Sequence, residues 1–345
     1  MAAPNILCDC TGMSEKRWLE CREHGPKGDI EYTVGGSDVA VIFGLSPWTT
    51  PLELWMVKKG RMKPKAPPNP KQLLMGHMLE PIAAHFYGLQ TGNTVIDDNH
   101  LYQHANLEYA LANIDRRYMR KEDGESGVLE CKSLTFHKAA DWADGAIPIY
   151  YELQLRYYLA VMDQRHGAFS ALWGNNPEHD LATPHIERDR AREDIIFEKL
   201  DRWIWSLRHD KPPTMEDVKP NLAMAALARI YGASKKGLPT IEFPMKFEPK
   251  LRKIAALQKE NTELKGMIKK NEEAIEAHSV RIAELMKNHE HGILTTTTDK
   301  LLVDFATEVT KRVNSDYLKK EYPSVYTEAL RSSKSRKIKV TIQPV

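Results

Sequence analysis

Cysteine is scarce, charge is nearly balanced and long apolar runs are missing, and each absence narrows what this chain can be. Four cysteines in 345 residues, Cys8, Cys10, Cys21 and Cys131, are too few and too unevenly spaced for the disulfide framework of a secreted domain. They leave either plain reduced thiols or a zinc site on Cys8, Cys10 and Cys21. A formal net charge of +2 excludes binding to nucleic acid through bulk basicity, so a DNA groove would have to come from local clustering of basic residues. No apolar stretch reaches the roughly eighteen residues of a membrane span, and the N-terminus has no signal-peptide core. A soluble intracellular protein without membrane contact is expected. Internal repeats and low-complexity tracts are also lacking.

What is present is enough apolar material, 42% of residues, for one large core or two smaller ones. Residues 14–24 read as a short polar helix anchored by Trp18 and Leu19. Gly35-Gly36 turns into Ser37-Asp38, an N-cap pair for an apolar helix over 39–43. Pro51 opens a helix to Lys59, and the proline-rich, basic stretch 61–70 is a loop. A long helix follows over about 71–90, stopped by Gly92. Strands and turns fill 94–118. A turn at 124–127 leads into a strand, 149–162 is an apolar helix, and 166–173 is the next strand. Residues 187–209 form an amphipathic helix with Ile195, Ile196, Phe197, Leu200, Trp203, Ile204 and Leu207 on its buried side. Strands alternating with helices predict an α/β core.

Beyond Pro212 the character changes. Residues 213–249 are linker-like, and a charged helix over 250–288 carries a seam spaced by three and four. The seam runs Ile254, Leu257, Asn261, Leu264, Ile268, Asn271, Ile275, His278, Ile282 and Leu285. Its polar members stand where they would fix the register of a coiled coil. An intramolecular packing of the same helix is the alternative. Residues 289–345 read as a small α+β segment with two short strands, a helix near 315–330 and a basic strand over 334–342.

The chemistry concentrates earlier. Gly127-Val128-Leu129-Glu130-Cys131-Lys132 follows Asp115 by a turn. Side chains alternate along a strand, so Glu130 and Lys132 share a face and Cys131 points away. On adjacent strands Asp115 and Glu130 can converge on one hydrated divalent ion, and hard carboxylate oxygens suit Mg²⁺. Lys132 is then placed to orient, or help deprotonate, the attacking water. Together these groups are a minimal kit for metal-assisted phosphodiester hydrolysis. Gln154 and Tyr158, four apart on a helix, share one face. Arg22 and Ser37 each have the chemistry to hold a phosphate.

The blocks around these residues resemble a family. Gly35-Gly36-Ser37-Asp38, Gly44-Leu45-Ser46-Pro47-Trp48, Thr50-Pro51 and Leu54-Trp55 are similar to the opening motif of phage lambda exonuclease-like, YqaJ-type viral recombinases. Gly76-His77-Met78-Leu79-Glu80-Pro81 resembles that family's next block. The acid pair with Lys132 resembles its PD-(D/E)xK core, and Gln154-Leu155-Arg156-Tyr157-Tyr158 resembles the Gln-x-x-x-Tyr helix shared with RecB-type nucleases. Some RecB-type relatives carry an iron–sulfur cluster, but three early cysteines and none after Cys131 do not fit that pattern.

The resemblance implies a restriction-endonuclease-like α/β fold, a mixed sheet flanked by helices, over residues 1–212. A helical, coiled-coil extension and a small β-containing terminal segment would follow it. It implies a catalytic set of Asp115, Glu130, Lys132, Glu80 and Gln154. Mg²⁺, with Mn²⁺ as substitute, would sit on Asp115, Glu130, the Cys131 backbone carbonyl and Glu80, the last through water. His77 is the open question beside Glu80, since RecB-like enzymes use a histidine there and the lambda branch only the glutamate. Arg22 and Ser37 match positions that hold a 5′-phosphate, while Gln154 and Tyr158 would bond the DNA backbone. The implied activity is digestion of linear duplex DNA from free ends, 5′→3′, in phage or prophage recombination in the bacterial cytoplasm. A single-strand annealing protein as partner and a trimeric homo-oligomer are implied with it. Two alternatives stay open: an endonuclease or defence-related nuclease on the same fold, and a non-catalytic DNA-binding or assembly protein built around the heptad helix.

Overall fold

A computed structural model of the chain describes residues 3–65, 69–176 and 178–330. It divides into two compact units, Met1–Gly232 and Ala233–Val345. The first opens with strand β1 (Asn5–Asp9) and helices α1 (Glu15–His24), α2 (Gly36–Ile42), α3 (Pro51–Lys58) and α4 (Pro70–Thr91). Strands β2 (Thr94–Asp97), β3 (His100–His104), β4 (Leu107–Ala112), β5 (Arg116–Met119) and β6 (Ser126–Ser133) follow. Helix α5 (Ile149–Met162), strands β7 (His166–Leu172), β8 (Leu181–Ala182) and β9 (His185–Glu187), and helices α6 (Arg190–Arg208) and α7 (Pro220–Tyr231) complete the unit.

Local chemistry sets most of these boundaries. The Ser14 hydroxyl accepts from Arg17 N at the head of α1, and the Asn69 side chain accepts from Gln72 N at the head of α4. Each satisfies an amide that a helix start leaves unpaired. Gly92 ends α4 in the left-handed region at φ 74°, where a side chain is disfavoured. Helix α2 begins one turn earlier than the sequence suggests. Gly35 is its cap and Gly36 its first residue, and Asp38 reaches back to accept from Gly35 N at 3.1 Å. Ser37 therefore lies inside the first turn and does not cap it. In α1 the buried anchor is Cys21, while Leu19 is 44% exposed. In α6, Ile196, Leu200, Trp203, Ile204 and Leu207 are buried, but Ile195 faces solvent at 59% exposure. Three consecutive apolar positions, Ile195, Ile196 and Phe197, cannot all fit one helical face.

The main sheet has the order β2-β5-β6-β7-β8, with β9 also pairing β7. It is mixed: β6 and β7 run parallel and the other pairings are antiparallel. Parallel neighbours need a crossover connection, and α5 lies within the one that joins β6 to β7. A second sheet, β1-β3-β4, is antiparallel. Helix α4 covers one face of the main sheet through Ala83, Ala84 and Tyr87 against Tyr118, Leu129, Cys131 and Ala168. Helix α5 covers the other through Leu155 and Leu159, packed with Val128, Phe169 and Ala171. The core is thus a mixed sheet flanked by helices.

The stretch expected to be linker-like from 213 holds α7 within the first unit. Val218, Ala223 and Ala226 are buried, and Arg229 pairs with the buried Glu53 at 2.9 Å. The small alanines allow close helix approach without an apolar periodicity strong enough to be noticed. Glu53 itself accepts from Thr50 N and Thr50 Oγ1, both at 3.0 Å.

The second unit contains α8 (Glu248–Met286), the hairpin β10 (His291–Thr295) and β11 (Lys300–Asp304), and the short helices α9 (Ser315–Glu321) and α10 (Pro323–Ala329). From 259 to 282 every residue of α8 is exposed. The expected basic strand over 334–342 lies outside the described residues. Among the described residues no helix is long and apolar enough to cross a membrane.

Candidate active site

The pleat of β6 does what its sequence demands. Val128 packs on the α5 side and Leu129 and Cys131 on the α4 side, so Glu130 and Lys132 emerge together on the α5 side. Lys132 Nζ donates to Glu130 Oε1 at 2.5 Å. Asp115 stands just before β5, not at the end of the apolar strand β4, which belongs to the other sheet. The β5–β6 register places Arg116 opposite Leu129, which brings Asp115 beside Glu130. Its Oδ2 accepts from Cys131 N at 2.8 Å. The strand therefore holds the first acid by its backbone and presents the second as a side chain.

Helix α5 supplies the third element. Gln154 Nε2 donates to Glu130 Oε1 at 2.6 Å, and Gln154 Oε1 accepts from Lys132 Nζ at 3.3 Å. The amide thus bridges acid and base. One turn on, Tyr158 OH accepts from Gln154 Nε2 at 3.4 Å. The Tyr158 ring lies directly against Gly36, where a Cβ would come within 2.5 Å of Tyr158 Cε1. Neighbouring Tyr157 is structural: its hydroxyl donates to the Val34 and Leu111 carbonyls at 2.7 and 3.1 Å.

Glu80 reaches the same cleft from α4, tied by Arg116 Nη1 at 2.7 Å, while Arg116 Nε pairs with Asp97 at 2.8 Å. Sequence reasoning passed over Arg116, although a guanidinium next to the leading acid was a usable signal. A cavity of about 750 Å³ joins Arg22, Ser37, His77, Glu80, Asp115, Glu130, Lys132, Gln154 and Tyr158. All the side chains named from the sequence as catalytic or DNA-binding therefore line one cleft. The Arg22 guanidinium lies 4.6 Å over the Trp18 ring, and Trp18 Nε1 donates to Asn113 at 2.9 Å. Ser37 is exposed at the rim, as is His77.

Electrostatics mark the acids as strained. Burial, with Asp115 and Glu80 adding repulsion, pushes the Glu130 carboxyl up to about 8. Burial also raises Asp115, against the pull of Lys132 and the Cys131 amide, and raises Glu80 with help from Asp115. Burial alone would lower Lys132, but the carboxylates of Glu130 and Asp115 hold it above its ordinary value. Lys132 therefore stays an ammonium ion. As an ammonium ion it can orient water and stabilise negative charge.

These groups have the chemistry to hold a divalent cation. Glu130 is 2% exposed, and its Oε2 is a buried acceptor with no partner among the described residues. Such an atom is costly to leave unsatisfied. Among the described residues no three His, Cys, Asp or Glu side chains are already set as a ligand cage, and Lys132 and Arg116 each bond one oxygen of Glu130 and Glu80. Mg²⁺ keeps several waters and needs few protein ligands. Cys131 Sγ is turned into the core, so only its backbone is in play. Of the early cysteines, Cys8 and Cys10 bring their sulfurs within 4.0 Å of each other beside the buried Cys21, and burial pushes the Cys8 thiol up to about 12.

Residues 17–165 match the sequence profile of the YqaJ-like viral recombinase domain. Over 335 residues, 96% of both chains, the protein is 26% identical to YqaJ of Bacillus subtilis strain 168. Among solved structures it is similar to an alkaline exonuclease of Laribacter hongkongensis, at 19% identity and TM-score 0.46, covering 57% of this chain and 94% of that one. A phage-related exonuclease of Haemophilus somnus 129PT is also similar, at 15% identity and TM-score 0.38, covering 51% and 93%.

Proposed function

We propose, from the match of residues 17–165 to the YqaJ-like viral recombinase domain, that the protein is a metal-dependent DNA exonuclease acting 5′→3′ on linear duplex in phage or prophage recombination. The observation that carries the reading is the Asp115–Glu130–Lys132–Gln154 cluster, with Glu130 Oε2 unpartnered at the floor of a cleft that also holds Arg22 and Ser37. The arrangement supports a PD-(D/E)xK core. Asp115, Glu130 and the Cys131 carbonyl would hold Mg²⁺, or Mn²⁺ in its place, with Glu80 engaged through water. When bound, such an ion supplies Lewis-acid charge to the scissile phosphate and acidifies water.

The chain's own groups do the rest. Lys132, kept protonated by its two carboxylates, faces the charge that grows on the phosphoryl oxygens as the P–O bond breaks. Gln154 fixes Lys132 and Glu130 relative to each other, and Tyr158 fixes Gln154. Arg22 offers two parallel N–H donors, and Ser37 a hydroxyl, to the free oxygens of a terminal 5′-phosphate. Arg116 keeps the Glu80 carboxylate at the cleft edge.

An endonuclease would use the same cluster and differ in how it admits DNA. Linear and covalently closed duplexes, each with Mg²⁺ and with EDTA, separate the two. We expect loss of linear duplex only, and only with Mg²⁺. Equal cutting of closed circles would install the endonuclease reading, and no cutting under any condition would leave a DNA-binding or assembly protein. A single-strand annealing protein as partner and a bacterial cytoplasmic setting accompany the exonuclease reading. So does a homo-oligomer, trimeric by family resemblance, to which the exposed heptad seam of α8 adds a second route of self-association.

A further inference from the structure

Beside the cleft lies a recess of about 430 Å³ that shares Ser37, Trp48, Lys132 and Gln154 with it and continues to Tyr150 and Tyr151. We propose that this recess is a stacking pocket for the nucleobase of the nucleotide being released. The proposal rests on the exonuclease reading and adds to it where the base goes and why any base is accepted.

Three observations point to a flat aromatic ligand. The first is the wall. Ala40, Val41 and Leu54 line one part, and Trp48, Tyr150 and Tyr151 form a connected ring cluster. The Trp48 and Tyr150 centroids lie 5.1 Å apart edge to face, and those of Tyr150 and Tyr151 lie 4.4 Å apart.

The second is that Trp48 is 54% exposed yet sits on a fixed turn. Leu45 N and Ser46 N both donate to the Ala40 carbonyl, at 2.9 and 3.1 Å. The buried Ser46 hydroxyl then accepts from Trp48 N and Thr49 N at 3.2 and 3.4 Å. A large aromatic left half in solvent on a hydrogen-bonded turn contributes little to the core. It is well suited to a ligand, because little backbone freedom remains to be lost on binding.

The third is position. The Lys132 ammonium lies 4.9 Å from the Tyr151 ring centroid, so the group that faces the phosphate and the group that would face the base adjoin. A base is one sugar removed from its own phosphate, and Lys132 lines both the cleft and the recess. Every base has a π-face, so aromatic stacking holds all four with little preference. That tolerance is what digestion of arbitrary sequence requires.

The test uses the full chain and a 5′-phosphorylated linear duplex carrying 2-aminopurine at the terminal position, with Ca²⁺ in place of Mg²⁺ so that DNA is bound without hydrolysis. We expect 2-aminopurine fluorescence to change on binding in the wild type. Trp48→Ala and Tyr150→Ala should each weaken binding by roughly ten-fold or more and abolish that change, with Trp48→Phe restoring most of it. An abasic terminal nucleotide should bind the wild type and Trp48→Ala equally. If the wild type binds DNA and cuts it in Mg²⁺ while Trp48→Ala and the abasic duplex behave like their parents, the pocket is refuted and the exonuclease reading stands. If the wild type neither binds nor cuts, both fall together.

Discussion

Replacing Glu130 by glutamine tests the strained acid cluster directly, because the ionised carboxylate is what the cation-free fold tolerates worst. Burial and two neighbouring carboxyls push Glu130 from an ordinary 4.5 up to about 8. A folded-state value above the unfolded one means that its stabilisation is complete below pH 4.5. It is then lost as pH rises, until the folded group itself ionises near pH 8. Each pH unit within that window withdraws about 1.4 kcal/mol, so the step from pH 5 to pH 7 withdraws roughly 3 kcal/mol. For a unit of this size that corresponds to a fall in Tm of roughly 6–12 °C. Calorimetric melting in EDTA at pH 5, 6, 7 and 8 should show this fall in the wild type and a markedly flatter curve in Glu130→Gln. Near pH 8 the variant should equal or exceed the wild type in stability. Adding Mg²⁺ at pH 7.5 should raise the wild-type Tm and leave the variant unchanged, and the variant should not cut linear duplex. Parallel pH curves for the two proteins, or a variant that still cleaves, would refute the reasoning.

Lys132→Ala should lower turnover by roughly two to four orders of magnitude while DNA binding in Ca²⁺, read by fluorescence anisotropy, survives; lost binding with unchanged turnover would make the lysine a positioning group. Arg22→Ala and Ser37→Ala should shrink the rate advantage of 5′-phosphorylated over 5′-hydroxyl duplex ends, whereas Lys132→Ala slows both alike; a ratio untouched by Arg22→Ala would remove the phosphate grip. Gly36→Ala forces a Cβ to within 2.5 Å of the Tyr158 ring, so overpacking should cost about 1–3 kcal/mol in thermal melts and reduce cleavage as Tyr158 and Gln154 shift; a variant with wild-type Tm and rate would show that the ring moves freely.

Where the sequence pattern is local and periodic, it determined the structure. Alternation along 127–132 put Glu130 and Lys132 on one face and Cys131 on the other, and the spacing of four put Gln154 and Tyr158 in contact. Ser14 and Gly92 marked helix ends through single hydrogen bonds or a single backbone angle. Membership of the cleft was also legible, because each candidate carried a chemistry that solvent-facing decoration does not need. What only the tertiary structure decided depends on residues distant in sequence. Asp115 meets Glu130 through a β5–β6 register, and Glu80 is held by Arg116, 36 positions away. Lys132 is held above its ordinary value by Glu130 and Asp115, which the fold brings beside it. The docking of α7 through Ala223, Ala226 and the Arg229–Glu53 pair left no periodic trace, since small residues signal close approach only once a partner surface exists. The outward turn of Ile195 and the half-exposed display of Trp48 belong to the same class. Hydrophobicity says that a side chain can be buried, while the packing of the other elements decides whether there is room for it.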